Sequence, residues 1–149
     1  MAVLVRGITS DDVAAAVRLL QGGSLSPQFE DEDRVGNYWS AVEETRRSLG
    51  DVLVAELNGE VVGLCQVILF QHFQHSGGWC CELESVHVRS DQRSHGIGAS
   101  LLAAAGALAQ ERGCYRIQLT SRHVRGDAHR FYVANGYEAT SQGFKKFFD

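Results

Sequence analysis

Proline is almost missing from this chain: one residue, Pro27, in 149. No proline-rich linker, internal repeat or low-complexity tract divides the sequence, so residues 1–149 read as one domain large enough to bury a core. Cysteine is sparse. Cys65, Cys80, Cys81 and Cys114 show no C-x-x-C spacing, which argues against a zinc site and against a disulfide framework. They read as small buried hydrophobes in a reducing cytoplasm. Basic residues do not predominate. Lys and Arg number 14 against 18 Asp and Glu, a net charge of -4, whereas a sequence-independent nucleic-acid binder needs a basic face. No apolar run approaches the ~18 residues of a membrane span. The opening MAVLVRGITSDD has neither the long apolar core nor the small-residue cleavage site of a signal peptide. A cytoplasmic protein that engages neither nucleic acid nor membrane is therefore expected.

What remains is an ordinary globular composition, 44% hydrophobic and 21% charged, with strong local periodicity. Residues 2–6 alternate and predict a first strand. Thr9 and Ser10 offer helix caps before Asp11 and Asp12, whose charges suit a helix N-terminus. Val13, Ala16, Val17 and Leu20 then share one helical face, and Gly22-Gly23 stops the helix. Pro27 lies in a loop. Val35, Tyr38, Trp39, Val42 and Leu49 mark a second helix, ending at Gly50. Strands over 52–57 and 60–70 flank Asn58-Gly59, a two-residue hairpin turn in which both residues must tolerate positive φ. Residues 79–89, WCCELESVHVR, predict a further strand. Next come a glycine turn, a helix over 98–112 closed by Gly113, and a strand through Tyr115, Ile117 and Leu119. A short helix over 127–135, capped by Asp127 in front and Asn135-Gly136 behind, precedes a tail expected to supply one or two last strands. The order β-α-α-β-β-β-α-β-α-β predicts an α/β domain with a central mixed sheet.

The glycine turn, Ser90 to Ser100 (SDQRSHGIGAS), sits between a strand and a helix start. The first amides of a helix have no internal partner and carry the positive end of its dipole, so this geometry suits an anion. It is not a P-loop, because Ala99 follows Gly98 where Lys is required. Nor is it a dinucleotide fingerprint, because Leu101 stands where the third glycine should be.

Arg93-Ser94-His95-Gly96-Ile97-Gly98 resembles motif A of the GNAT acetyltransferase superfamily, Arg/Gln-x-x-Gly-x-Gly/Ala. Ala128-His129-Arg130-Phe131-Tyr132, closed by Gly136-Tyr137, resembles its motif B. The likeness runs from about Val52 to the end. Within the superfamily the chain is most similar to aminoalkylphosphonate N-acetyltransferases, through LNGEVVG, the His/Phe-rich stretch before Trp79, the Glu-x-Glu strand and DAHRFYVANGYE. The resemblance implies a mostly antiparallel sheet with a splayed strand pair that holds acetyl-CoA. It implies coenzyme contacts from Val86, His87 and Val88 on the strand, and from Arg93, Ser94, His95, Gly96, Ile97, Gly98, Ala99 and Ser100 in the turn. Further contacts are implied from Arg125, His129 and Tyr132. Arg125 departs from the pattern, standing where many members carry Asn.

Acetyl transfer from a thioester to an amine needs a base, because an alkyl ammonium holds its proton up to a pKa of about 10.4. It also needs a donor for the oxyanion. Glu82 and Glu84 are spaced to lie on one sheet face, with Val86 and Val88 beyond them, and paired like charges raise at least one pKa. The resemblance implies a glutamate of this strand as base, with Glu84 slightly preferred over Glu82. It further implies the Val88 amide as oxyanion donor and Tyr132 as the acid facing the sulfur. A plain core role for Tyr132 and a solvated pair for the glutamates remain the structural alternatives.

The acceptor is expected between the first two helices and the Glu-bearing strand, near Arg34, Tyr38 and Trp39. His72, His75 and His87 have no ligand spacing, and no metal is expected. Three functions remain open: an N-acetyltransferase acting on a small primary amine, a protein or peptide N-acetyltransferase, and a regulatory domain that binds acyl-CoA without turnover. A homodimer is the common habit of relatives.

Overall fold

The computed structural model describes residues 2–122 and 125–148. Five strands form one sheet in the order β1-β2-β3-β4-β5. They are β1 (Leu4–Gly7), β2 (Asp51–Leu57), β3 (Glu60–Gln71), β4 (Trp79–Val88) and β5 (Cys114–Gln118). The first four pair antiparallel, and β5 joins β4 in parallel. The helices are α1 (Val13–Gly23), α2 (Val35–Arg47), the single turn α3 (Gln74–Gly77), α4 (Ile97–Glu111) and α5 (Gly126–Ala134). The expected α/β class with a mixed, mostly antiparallel sheet is what forms.

Alternation along the strands divides the core between the two faces. Leu53, Ala55, Cys65, Val67, Leu69, Cys81 and Leu83 face α4 and its Leu101, Leu102, Ala105 and Ala109. Val52, Val54 and Leu64 face Val13, Val17 and Val42 of α1 and α2. Each large aliphatic buried this way contributes about 1.5–3 kcal/mol. Cys65, Cys80 and Cys81 are buried as expected, Cys114 is only half-buried, and all four thiols are free. No helix among the described residues is long and apolar enough to cross a membrane.

The Asn58-Gly59 turn forms with φ of 52° and 80°, as the hairpin requires. Thr9 enters α1 through Asp12, whose Oδ2 accepts from the Thr9 amide at 2.8 Å and from its hydroxyl at 3.0 Å.

Four expectations are corrected. The tail forms no strand, since residues 137–148 run without regular structure. Pro27 opens a 3-10 turn, Pro27–Phe29, where its fixed φ and missing N–H cost nothing. Helix α5 starts at Gly126 with Arg125 as its cap, and Asp127 lies inside the first turn, ion-paired to Arg130. The fourth correction concerns β4. Gln66 pairs with Glu84 but Leu64 pairs with His87, so one residue of β3, Cys65, stands opposite two of β4, Ser85 and Val86. The extra residue is Ser85, at φ 55°. This bulge resets the alternation. Val86 and Val88 turn to the α4 core instead of continuing the face of Glu82 and Glu84, and His87 takes the place expected of them.

Candidate active site

The parting of β4 from β5 organises the site. Their pairing runs from Trp79↔Cys114 to Glu82↔Gln118 and stops, while β4 continues to Val88. Glu82 sits at the point of divergence. Its side chain is half-buried, and among the described residues its Oε2 is buried without a hydrogen-bond partner. Burial pushes its pKa up, Gln118 pulls it down by a hydrogen bond, and the charge of Glu84 pushes it further up. A carboxyl that resists ionisation is a stronger base once ionised. Glu84 is exposed. The two glutamates that the family resemblance offered as the base, with Glu84 slightly preferred, therefore differ in setting, Glu82 half-buried and Glu84 exposed.

Beyond β4 the chain makes a 3-10 turn, Ser90–Gln92, and enters α4. Ser94 and Gly96 both lie in the left-handed region, at φ 66° and 79°. Gly96 is the cap of a 15-residue helix. Among the described residues, none of the amides from Arg93 to Ala99 donates to a backbone carbonyl, and the helical ladder opens with the Ser100 amide on Gly96 O at 3.0 Å. A row of unpaired donors at the positive end of a long helix forms a cradle for an anion such as a diphosphate.

The side chains of the turn have varied placements. Arg93, Ser94 and His95 are exposed, and Ile97 is in the core at 1% exposure. His95 Nδ1 lies 3.4 Å from Gln92 Oε1. The Ser100 hydroxyl donates back to Gly96 O at 3.1 Å. Ile97 and Ala99 can thus serve a ligand only through their amides. Gly98 has a packing reason: a Cβ there would lie 2.9 Å from Cζ of Phe131, so α5 closes against the first turn of α4 through that missing carbon.

Helix α5 brings Tyr132 onto the central core beside Phe131 and Tyr137, with ring centroids 5.3 and 5.9 Å away. Burial and the nearby Cys65 push its phenol pKa up, while Arg125 opposes them. Tyr132 therefore stays protonated well past neutral pH. The His129 ring is bound to the Arg122 carbonyl, with Nε2 at 2.8 Å. The Arg125 guanidinium donates to the Gly23 carbonyl at 2.6 Å. His87 packs against Gly23, where any Cβ would collide with its ring. Burial, then Arg125 and Arg93, lower its pKa, so its ring is neutral at pH 7.

On the opposite side of the sheet a cavity of about 260 Å³ lies among α1, α2 and the strands. Tyr38 lines it. Trp39 packs beside it in the α2 cluster with Arg46 over its ring, and the exposed Arg34 pairs with Asp31 at 3.5 Å. Glu30, Gln66 and Ser85 also line the cavity and were not singled out from the sequence. Gln66 carried a readable signal, as the one polar residue inside the apolar run VVGLCQVILF. His72 and His75 gather instead around Tyr115 at the β3–β4 hairpin tip, apart from His87. Among the described residues no His/Cys/Asp/Glu group could hold a metal ion.

The acetyltransferase (GNAT) family model matches residues 16–137. The chain belongs to that family. An aminoalkylphosphonate N-acetyltransferase of Salmonella typhimurium (strain LT2) is 36% identical over 89 residues, 60% of this GNAT chain and 57% of that protein's length. Among solved structures, a transcriptional regulator from Bacillus halodurans C-125 is 33% identical with a TM-score of 0.90, covering 99% of this chain and 100% of the other. Glucosamine-6-phosphate N-acetyltransferase from Arabidopsis thaliana shares the fold at 18% identity and a TM-score of 0.82, over 100% of both chains. The family match agrees with the sequence reading of a GNAT chain.

Proposed function

We propose that this chain is an acetyl-CoA-dependent N-acetyltransferase that acts on a primary amine of a small molecule by direct attack in a ternary complex. The carrying observation is the row of amides from Arg93 to Ala99 without backbone partners, together with strands that part at Glu82, whose Oε2 is buried. The residues suit the coenzyme: Gly96 faces open space, and the amides and Arg93 supply donors and charge for a diphosphate. Bound there, acetyl-CoA would supply the thioester.

The chain's own residues supply the rest. Glu82, directly or through water, accepts the proton that the amine must lose before its nitrogen can bond to the acetyl carbon. The Val88 amide is assigned to the developing oxyanion. Tyr132, held protonated by burial, donates to the sulfur as the carbon–sulfur bond breaks. Glu84 acts through its charge, which supports the raised pKa of Glu82.

The name of the Bacillus relative favours a second reading, a regulatory domain that binds the coenzyme without turnover. Calorimetric titration with CoA, paired with a thiol-release assay over amines, separates the two. The proposal expects both heat of binding and amine-dependent CoA release. Binding without release against any amine supports the regulatory reading. An absence of CoA binding overturns both.

A further inference from the structure

The cavity among α1, α2 and the sheet has a chemistry that the Salmonella relative's name does not predict. Val13, Val17 and Leu20 of α1, Val42 of α2, and Val52 and Leu64 of the sheet give it aliphatic walls. Its polar lining is Glu30, Tyr38, Gln66 and Ser85. Three of these, Glu30, Tyr38 and Gln66, already have hydrogen-bond partners. The Tyr38 hydroxyl donates to Glu30 Oε1 at 3.0 Å and accepts from the Asp31 amide at 3.0 Å. Gln66 Nε2 donates to Thr45 Oγ1 at 3.0 Å. Among the described residues that line the cavity none is Arg, Lys or His, and Glu30 is the one acidic residue.

The arginines of α1 and α2 are committed elsewhere. Arg18 pairs with Glu32 at 3.2 Å, and Arg47 pairs with Glu44. Arg46 holds Asp51 at 2.9 Å and the Ile8 carbonyl at 2.6 Å. A phosphonate entering this space would meet hydrocarbon and a carboxylate with no cation to offset its lost hydration. A cationic amine with a hydrocarbon body would meet the opposite conditions on both counts.

We propose that this cavity selects the acceptor, and that the acceptor is an amine with a compact aliphatic or aromatic group and no anionic group. The claim rests on the acetyltransferase reading for its chemistry and on the lining for its selectivity. At about 30 Å³ per small group, 260 Å³ takes about eight or nine non-hydrogen atoms. The cavity meets β4 at Ser85, next to Glu84 and three residues from Glu82. A molecule whose body fills the space can thus present its nitrogen to the strand.

The test is kcat/KM with acetyl-CoA for phenethylamine, isoamylamine, ethylamine and 2-aminoethylphosphonate, together with calorimetry of phenethylamine without acetyl-CoA. Isoamylamine is expected to exceed ethylamine by about fourfold per added methylene. Phenethylamine is expected to exceed the phosphonate by about 100-fold or more. Ala41→Phe, on the exposed rim of α2, should cut the phenethylamine-to-ethylamine ratio by about tenfold and weaken phenethylamine binding. Equal or better use of the phosphonate, or an unchanged ratio in Ala41→Phe, overturns the proposal and leaves the acetyltransferase reading standing. If no amine is acetylated but phenethylamine binds and Ala41→Phe weakens it, the cavity assignment holds and the acetyltransferase reading falls. If phenethylamine neither binds nor reacts, the cavity assignment is overturned.

Discussion

Arg125, at the start of α5, holds the carbonyl of Gly23, the last residue of α1, at 2.6 Å across 102 residues of sequence. A cation at a helix C-terminus is favourable in itself, and this one also fastens α1 to the helix that carries Tyr132. Arg125→Ala is expected to lower stability by about 1–3 kcal/mol, seen as a fall in Tm. The charge of Arg125 is one of the causes, after burial, of the low pKa of His87. NMR titration of His87 in the variant should therefore show its pKa rising. An unmoved His87 titration would mean that the guanidinium does not act on the ring.

Glu82→Gln is expected to reduce kcat by about 10²–10⁴-fold with acetyl-CoA binding unchanged, the usual worth of a positioned base. Glu84→Gln should cost less. In the wild type the rate should rise with pH through a value above the ordinary carboxylate range, because burial raises the pKa of Glu82. Glu84 adds to that rise, so Glu84→Gln should move the acidic limb of the rate profile to lower pH. The folded Glu82 binds its proton more tightly than the unfolded chain does. Its contribution to stability is thus full below the ordinary carboxylate value and is lost as pH climbs through the raised one. A larger loss of kcat in Glu84→Gln than in Glu82→Gln would reverse the assignment.

Asp12 behaves in the opposite sense. The hydrogen bonds from Arg6, opposed by burial and helped by Thr9, hold its pKa at about 2, below the ordinary 3.8. Its stabilisation is present above the ordinary value and disappears as pH falls toward 2. Asp12→Asn should cost about 1–2 kcal/mol at neutral pH, and chemical denaturation should show that the cost shrinks as the medium is acidified through this window.

Gly98→Ala sets a methyl against Phe131, 2.9 Å from Cζ. Displacing a packed ring costs about 1–3 kcal/mol. Phe131→Leu, which removes the ring edge, should make the alanine substitution nearly neutral in the double variant. Additive losses in thermal unfolding would show that the contact is not what demands glycine.

Much of this was readable in the sequence where local chemistry decided it. Asn58-Gly59, Gly113, and the spacing of Val13, Ala16 and Val17 each specify one conformation by residue type and period. The Arg93–Ala99 turn was legible because strand, glycines and helix start form a pattern within one short stretch. What escaped depends on partners distant along the chain. Ser85 looks like any strand residue, and nothing local announces that β3 will set one residue against two of β4. Leu49, not Gly50, takes positive φ at the end of α2, at 69°. Glycine is required at 50 instead because its site abuts the Val67 carbonyl, a strand away. Glu82 differs from Glu84 only through the depth at which β5 departs, and neither residue reveals that by itself.

The extra residue at Ser85 makes the two ends of β4 independently adjustable. Ahead of it, side chains at 82 and 84 answer to whatever occupies the helical side; past it, Val86 and Val88 answer to the packing of α4. In the proposed enzyme, drift at Gln66 or Ser85 could recruit a new nucleophile while the anchorage of the donor stays intact, so one scaffold can diversify its chemistry by revising half a strand.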